Sequence, residues 1–387
     1  MIRATIGGRL QKQGTYVKGT HFLLVTSALV CNAAVAQSTP SGLTLFGRLD
    51  EGVINQTSRA PGGAVTAINA NMWLPSLWGI KGQEDLGGGL SAIFNLASTI
   101  IVNTGAQGST QKLFDRNAYV GLASSQWGTL TFGRHVNTLA ELFYVTDPLY
   151  ANNSATNMNV RLGYLGGPGT TIQNNFGPNP GVAGASLDRV DNSMKYQFKA
   201  SNGLSAMAMY AFGGNAGMFS NNSAAGAMLG YDGGAATLRA SYMQYKDSIG
   251  TPFRAFAGGA AYKLGSVTLR ATYTQNKIDS RLNTVAMPYR NMKTEVYSAG
   301  GDWLVTPTID VFLAYYHGKR SQDGLPDQVA NKFYFVPSYF LSKRTTVQAV
   351  TVYERFNATG ASLDTGTPLV AGARSSVYLG AGLTHSF

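Results

Sequence analysis

Six cationic residues on strand-like segments are the first candidates for chemistry in this sequence. They are Arg48, Lys81, Arg189, Lys195, Arg239 and Arg270. Each has an apolar neighbour, and because side chains alternate between the two faces of a strand, the charge and that neighbour lie on opposite faces. If the apolar face contacts lipid, a charge on it would cost about 2–4 kcal/mol at the middle of the membrane. We therefore expect all six side chains to face water, where together they would favour anions.

Acidic residues that could oppose this positive wall occur in residues 138–186, a long segment without strand periodicity. Glu141 and Asp147 lie there, and together with the cations they would create a transverse electric field. Some of these charges could instead lie near the rim, where salt screens them within about 8–10 Å. Long connections are usually functional or disordered. We expect this one to fold into the pore, and a floppy external loop is the alternative.

Catalytic and cofactor-binding motifs are missing from the sequence. His135, His317 and His385 are far apart and lack the spacing of metal ligands. There is no G-x-S-x-G, P-loop or G-x-G-x-x-G motif. We predict no enzyme activity, no metal and no cofactor; a hydrolase using His317 as its base is the weakest alternative. The net charge of +11 does not point to nucleic acid, because the chain is Gly-rich, strand-like and carries an export signal.

The elements that must position these charges are short alternating strands. Charged residues make up only 13% of the chain, while there are 47 Gly, 20 Tyr and 18 Phe. No run of about 18 apolar residues exists that could form a transmembrane helix. The alternation predicts sixteen strands, at 43–57, 70–86, 89–102, 112–124, 128–137, 187–200, 203–214, 224–231, 235–246, 253–263, 266–277, 292–305, 308–319, 328–341, 345–357 and 374–387.

The connections between these strands alternate strictly between tight turns and longer, polar loops. A sandwich or propeller has no reason to follow that rule, whereas a membrane barrel has turns on one side and loops on the other. The sequence therefore predicts an all-β protein, a sixteen-stranded antiparallel transmembrane β-barrel over residues 37–387. Its third external loop is the long segment 138–186.

Residues 1–36 read as a signal peptide, with a basic start, an apolar stretch and the Ala34-Val35-Ala36 cleavage pattern. The single cysteine, Cys31, lies in this leader. We expect a mature chain without disulfides that is exported to the outer membrane and surrounded by its lipid.

Several stretches together give the chain a resemblance to a known family. They are LTLFG (43–47), WGIKGQEDLGGGL (78–90), FDRNAYVGL (114–122), GTLTFGR (128–134), RVDNSMKY (189–196), LSKRT (341–345) and the terminal Phe387. In their order and spacing they resemble the trimeric general porins of Gram-negative outer membranes, in particular the betaproteobacterial and neisserial group. The resemblance implies a homotrimer, passive diffusion of small hydrophilic solutes and ions, and in several members a preference for anions.

The sequence leaves open the position or role of four sets of residues. Arg116 and Arg134 match the family stretches but follow the parity of apolar residues, which a bulge or a subunit interface would explain. Glu51 shares the parity of lipid-facing residues unless it lies near the rim or a trimer contact. Phe387 resembles the signal read by the outer-membrane assembly machinery. Strand tyrosines could form interfacial girdles, or simply pack on the barrel surface: Tyr196, Tyr210, Tyr242, Tyr262, Tyr273 and Tyr297.

The sequence thus predicts a water-filled channel for passive diffusion of small hydrophilic solutes and ions, with a preference for small anions. The alternative from another functional class is a surface adhesin or receptor that uses the external loops on a plugged barrel.

Overall fold

The computed structural model describes residues 41–153, 156–164, 176–178, 188–279, 291–357 and 369–387. The predicted signal peptide lies outside these residues. The strands are β1 Gly42–Gln56, β2 Val65–Ala70, β3 Leu77–Gly87, β4 Leu90–Ile101, β5 Ala106–Gln107, β6 Asn117–Ser124, β7 Gly128–Val136, β8 Arg189–Lys199, β9 Leu204–Ala211, β10 Ala224–Gly233, β11 Ala236–Lys246, β12 Pro252–Leu264, β13 Val267–Ile278, β14 Met292–Thr306, β15 Ile309–Gln322, β16 Leu325–Phe340, β17 Thr345–Phe356 and β18 Ser375–Ser386. Helix α1 spans Thr138–Thr146, and a π-helical turn spans Asn159–Tyr164.

Sixteen of these strands form a closed antiparallel barrel, as predicted. Each pairs with the next along the chain, and β18 closes the barrel on β1, with Arg48 opposite Ser386 and Gln56 opposite Tyr378. The short β2 and β5 were not predicted; they pair with the loop ends of β1 and β4. No helix among the described residues is long and apolar enough to cross a membrane.

The two ends of the barrel differ in their connections. Tight turns such as Gly87–Leu90 define one end, which we call the turn end, and the opposite end is the loop end. The predicted strict alternation of short and long connections is wrong at the loop end between β15 and β16. These strands keep pairing as far as Gln322 and Leu325, so only two residues join them.

Two strand starts were predicted too early, at 70 and at 112. The first is replaced by a turn at Asn71, whose φ of 65° is left-handed. Its side-chain oxygen accepts a hydrogen bond from the Ser76 backbone N–H at 2.5 Å. The turn brings Met72 and Trp73 into buried positions instead of extending β3.

The strands alternate as the sequence predicts. On β13, Leu269 is 50% exposed whereas the next residue, Arg270, is 6% exposed. The exposed face carries leucine and aromatic residues, and the opposite face points into the barrel.

Candidate functional site

Helix α1 lies against the inward face of the barrel wall. Its N-cap residue, Asn137, accepts a hydrogen bond from the Ala140 N–H at 2.7 Å and donates to the Tyr245 hydroxyl at 2.7 Å. At the other end of the helix, the Thr272 hydroxyl donates to the Thr146 carbonyl at 2.8 Å. The helix is therefore held by inward-facing side chains of β11 and β13. We call residues 137–188 the β7–β8 connection.

The wall behind the helix is apolar, which the sequence reasoning missed. Leu139, Leu142 and Phe143 are completely buried. They belong to one apolar cluster with inward-facing residues of β9–β12: Met207, Met209, Met228, Met243, Tyr245 and Phe253. The alternation of residues along the strands, taken alone, predicts that this inward face is polar and lines water. Methionine is flexible and fills irregular gaps, so a run of inward methionines is the signal that could have predicted a covering element.

Asp147, predicted to face the pore as an acidic group, is instead fully buried. Its carboxylate accepts hydrogen bonds from the backbone N–H groups of Leu149 and Ala151, at 2.8 and 3.0 Å. Two side-chain amides and the Tyr316 hydroxyl, at 2.9 Å, also donate to it; the amides belong to Asn157 and Asn159. Burial raises the pKa of this carboxyl, and the donated hydrogen bonds oppose the rise. Asp147 thus organises the β7–β8 connection and does not line water.

Glu141 and Lys195, predicted to lie on opposing walls, contact each other directly. The Lys195 ammonium lies 2.7 Å from the Glu141 carboxylate and 3.1 Å from the Val136 carbonyl. The lysine side chain is 5% exposed and the glutamate side chain 22%. This ion pair joins the first turn of α1 to β8, so the positive charge of Lys195 is neutralised.

Arg270 is also engaged with the β7–β8 connection. Its guanidinium pairs with Asp302 on β14, donates to the Tyr150 hydroxyl and stacks on the Tyr150 ring at 3.7 Å from the ring centroid. The residue is 6% exposed. Its contacts therefore hold the β7–β8 connection against the barrel wall.

Three other arginines converge around Tyr144 of α1. We call Arg48, Arg116 and Arg189 the arginine cluster. Arg48 donates to the Pro75 carbonyl at 3.0 Å, and Arg189 donates to the Tyr144 hydroxyl at 3.5 Å while it pairs with Asp188. No ion pair of the residues the structure describes involves Arg48 or Arg116.

The charges in this cluster act on one another. Burial, together with the positive charges of Arg189 and Arg48, lowers the pKa of the Arg116 guanidinium to about 10. Arg116 stays cationic at neutral pH despite that shift. Its side chain donates to the Thr99 hydroxyl at 3.4 Å. It lies just before β6 rather than on it, which is why strand parity could not place it.

The remaining predicted cations lie elsewhere. Lys81 is exposed on β3, with its ammonium 5.6 Å from the centroid of the inward-facing Phe46 ring. Arg239 lies near the turn end and pairs with Asp232 at 2.7 Å. Arg239 is therefore not near the β7–β8 connection.

Arg134 is explained by an irregularity in the sheet. The pairing of β7 with β8 shifts register between Gly133 and His135. On the outward parity of β7, Arg134 pairs with Asp191, to which Lys112 also donates. A bulge was one of the two explanations that the sequence left open.

A buried charge network links three segments that the sequence did not connect. Glu354 on β17 contacts Arg59 at 3.4 Å and Lys332 on β16 at 2.6 Å. Lys332 also donates to the Thr156 carbonyl in the β7–β8 connection at 2.9 Å. The parity of Lys332, opposite Phe333, is a signal that could have added it to the inward cations.

Hydrolytic chemistry finds little support in the described ranges. His317 contacts the Asn331 amide oxygen at 2.9 Å. His135 lies 2.8 Å from the Ser193 hydroxyl, but the two residues are 2% and 4% exposed, so a substrate could not reach them. No group of metal-ligating side chains occurs in the part of the chain that the structure describes.

Known proteins share this architecture. The sequence model of a family described as Gram-negative porins matches residues 23–359. An outer membrane porin protein of Bordetella pertussis is 29% identical over 206 residues, which are 50% of this chain and 48% of that relative. The chain thus spans about half the length of this relative.

Two further comparisons cover more of the chain. Outer membrane porin protein 32 of Delftia acidovorans is 26% identical over 81% of this chain and 83% of its own length. The solved structure of an anion-selective porin from Comamonas acidovorans superposes with a TM-score of 0.74, at 23% identity, over 90% of this chain and 100% of that chain. This likeness concerns the fold.

Proposed function

The chain belongs to the family of Gram-negative porins, and we propose that its barrel is a water-filled channel in the outer membrane for small hydrophilic solutes and ions. The arginine cluster is the observation that supports this most directly. It brings three guanidinium groups together beside α1, inside a closed barrel.

We propose further that the channel prefers anions and that the β7–β8 connection narrows it. Glu141 is neutralised by Lys195, and Asp147 is buried within the connection. The transverse field expected from these two acids is therefore weak, and the uncompensated charge near α1 is the positive charge of Arg48 and Arg116. Low-dielectric walls focus such a field on ions that pass.

A homotrimer is supported by the uneven distribution of aromatic residues. Exposed aromatic side chains are frequent on β8–β17, whereas β1–β6 expose mainly aliphatic side chains such as Leu43, Leu45, Ile68 and Val120, with Trp78 as their exposed aromatic residue. Aromatic girdles mark the lipid–water boundary, so β1–β6 are the better candidate for contact between copies. Glu51 lies there, and its carboxylate has no ion-pair partner among the described residues.

We predict that the purified protein conducts ions in planar bilayers, with currents that close in three equal steps. Under a KCl gradient, the reversal potential should have the sign of chloride preference, because the arginine cluster attracts anions. A cation preference would contradict the charge argument, and single-step closures would contradict the trimer. A barrel that inserts but does not conduct would favour the adhesin alternative.

The two ends of the sequence carry the proposed export signal and the proposed assembly signal. We infer that residues 1–36 direct export and are removed. At the other end, the Phe387 backbone exchanges two hydrogen bonds of 3.0 Å with Gly47, while the residue as a whole is 46% exposed. An exposed terminal ring is available to the assembly machinery.

Deleting Phe387 should slow insertion of the barrel by the assembly machinery and leave the conductance of the inserted channels unchanged. Replacing Phe387 with tyrosine, which keeps an aromatic ring, is the matched control. The measurement is the rate at which the folded, heat-resistant form of the barrel accumulates in membranes that contain the assembly machinery. Equal rates for the deletion and the full chain would exclude a role for this residue in recognition.

A further inference from the structure

The side of helix α1 that faces away from the barrel wall carries an aromatic and an aliphatic residue. Residues three and four apart lie on the same side of a helix, so Glu141, Tyr144 and Val145 share this side. All three are partly exposed, whereas Leu142 on the opposite side is buried against the wall. Because Glu141 is paired with Lys195, the helix presents a mostly apolar surface to the lumen.

The arginine cluster lies beside this apolar surface. The Arg189 guanidinium donates to the Tyr144 hydroxyl at 3.5 Å. Arg48 and Arg116 are also close enough to Tyr144 to interact with it electrostatically. Both arginines keep part of their surface exposed, so a solute in the lumen can reach a cation and an aromatic ring at the same time.

Two guanidinium groups of the cluster retain hydrogen-bond donors for such a solute. Arg116 donates one N–H group to the Thr99 hydroxyl, and Arg48 donates to a backbone carbonyl. Their remaining guanidinium N–H groups have no partner among the residues that the structure describes. The nearby carboxylates of Asp50 and Asp115 accept hydrogen bonds from backbone N–H groups, and neither forms an ion pair with these arginines in the described part of the chain.

A second ring continues the apolar surface along the lumen. Phe46 lies two residues before Arg48 on the inward face of β1, about 7 Å away along the strand. Its ring lies against the backbone of β3, where a Cβ atom on Gly79 would come within 2.7 Å of it. The Lys81 ammonium lies 5.6 Å from the centroid of the ring. Cations and aromatic rings therefore alternate in this part of the lumen.

We propose that the lumen beside α1 binds carboxylates that carry a flat apolar ring, such as benzoate, while they pass through the channel. This inference rests on the proposed channel function and names a class of solute for it. The carboxylate accepts hydrogen bonds from Arg48 and Arg116, and the ring packs on Tyr144 and Val145. Aromatic rings attract one another in offset or edge-to-face arrangements, and planar guanidinium groups also stack on rings.

The two contacts recognise different parts of the solute, so they can be measured separately. Acetate has the carboxylate without the ring, and benzyl alcohol has the ring without the charge. Benzoate has both. A difference between benzoate and acetate therefore reports the contact of the ring with α1, because the attraction of the carboxylate to the arginine cluster is common to the two anions.

The test is block of the chloride current through the purified channel in planar bilayers, with sodium benzoate or sodium acetate added to one side. Benzoate should halve the open-channel current at a concentration about tenfold lower than acetate, because burial of its apolar ring adds to the shared charge attraction. Benzyl alcohol should not block at the concentrations at which benzoate does. A protein that conducts no KCl would refute the proposed function. A channel that conducts chloride but is blocked equally by benzoate and acetate would leave that function standing and overturn this inference alone.

Three tyrosine variants locate the ring contact. Tyr144→Ser should raise the half-blocking concentration of benzoate about fivefold and that of acetate by less than about twofold, since only benzoate loses a packing partner. Tyr144→Phe keeps the ring and should retain the benzoate block. The matched control is Tyr242→Ser, which removes an exposed ring from the outward face of β11 and should change neither value. Loss of the benzoate block in Tyr144→Phe, or equal effects of Tyr144→Ser and Tyr242→Ser, would overturn the proposal.

Discussion

Replacing Arg116 and Arg189 together with glutamine should lower the ratio of chloride to potassium permeability about tenfold, as expected for the loss of two unit charges within several ångströms of a passing ion. The physical reason is their convergence at Tyr144, where the charge of Arg116 is not neutralised by an ion pair. The measurement is the reversal potential under a KCl gradient. Arg116→Gln alone should produce the larger of the two single effects, because Arg189 is already paired with Asp188.

The matched control is Arg239→Gln. This arginine faces inward by sequence parity, as Arg48 does, but it is held by Asp232 near the turn end. Its replacement should leave the permeability ratio within about twofold of the original, since an ion-paired charge far from α1 contributes little. If Arg239→Gln changes selectivity as much as the double variant, then the charge of the whole lumen, and not the arginine cluster, determines selectivity.

Asp147→Ala should loosen the β7–β8 connection while the barrel stays assembled. The substitution removes the acceptor of five donors, three of them on side chains, and each donor left unsatisfied in a buried place costs about 1–3 kcal/mol. We expect faster cleavage by added protease within residues 137–188, together with noisier single-channel current.

Asp327→Ala provides the comparison for that experiment. Asp327 is exposed and pairs with Lys319 on the outward face, so its loss should change neither protease resistance nor current noise. Wild-type protease resistance and quiet channels in Asp147→Ala would show that the packing of α1 on the methionine-rich wall suffices to hold the connection.

The strands were predictable because each shows the same local alternation of residue types. One parity carries leucine and aromatic residues and the other carries small or polar residues, and this can be read without knowledge of any neighbour. The closed sixteen-stranded barrel followed from that alternation and from the tight turns. The strand starts at 70 and 112 failed because the turn at Asn71 and the position of Arg116 depend on contacts with distant segments.

The site was less predictable, because parity gives the direction of a side chain but neither its height in the barrel nor its partners. Lys195 and Arg270 share the inward direction of Lys81, yet the β7–β8 connection covers the first two and leaves Lys81 exposed. The partners of Asp147, which lies in the β7–β8 connection, could not be predicted either. Nothing in its immediate sequence predicts that Tyr316, on a strand far along the chain, donates to it.

The pairing of the first strand with the last has a consequence for the order in which the protein can form. Arg48 pairs with Ser386, and Gly47 pairs with Phe387. The contact between β1 and β18 that closes the barrel therefore joins residues separated by almost the whole sequence. Contacts between such distant residues are slow to form. Until β18 has been synthesised and exported, both edges of the unfinished sheet present unpaired backbone groups that can pair with other chains. The nascent protein therefore depends on being kept apart from its own copies until β18 pairs with β1.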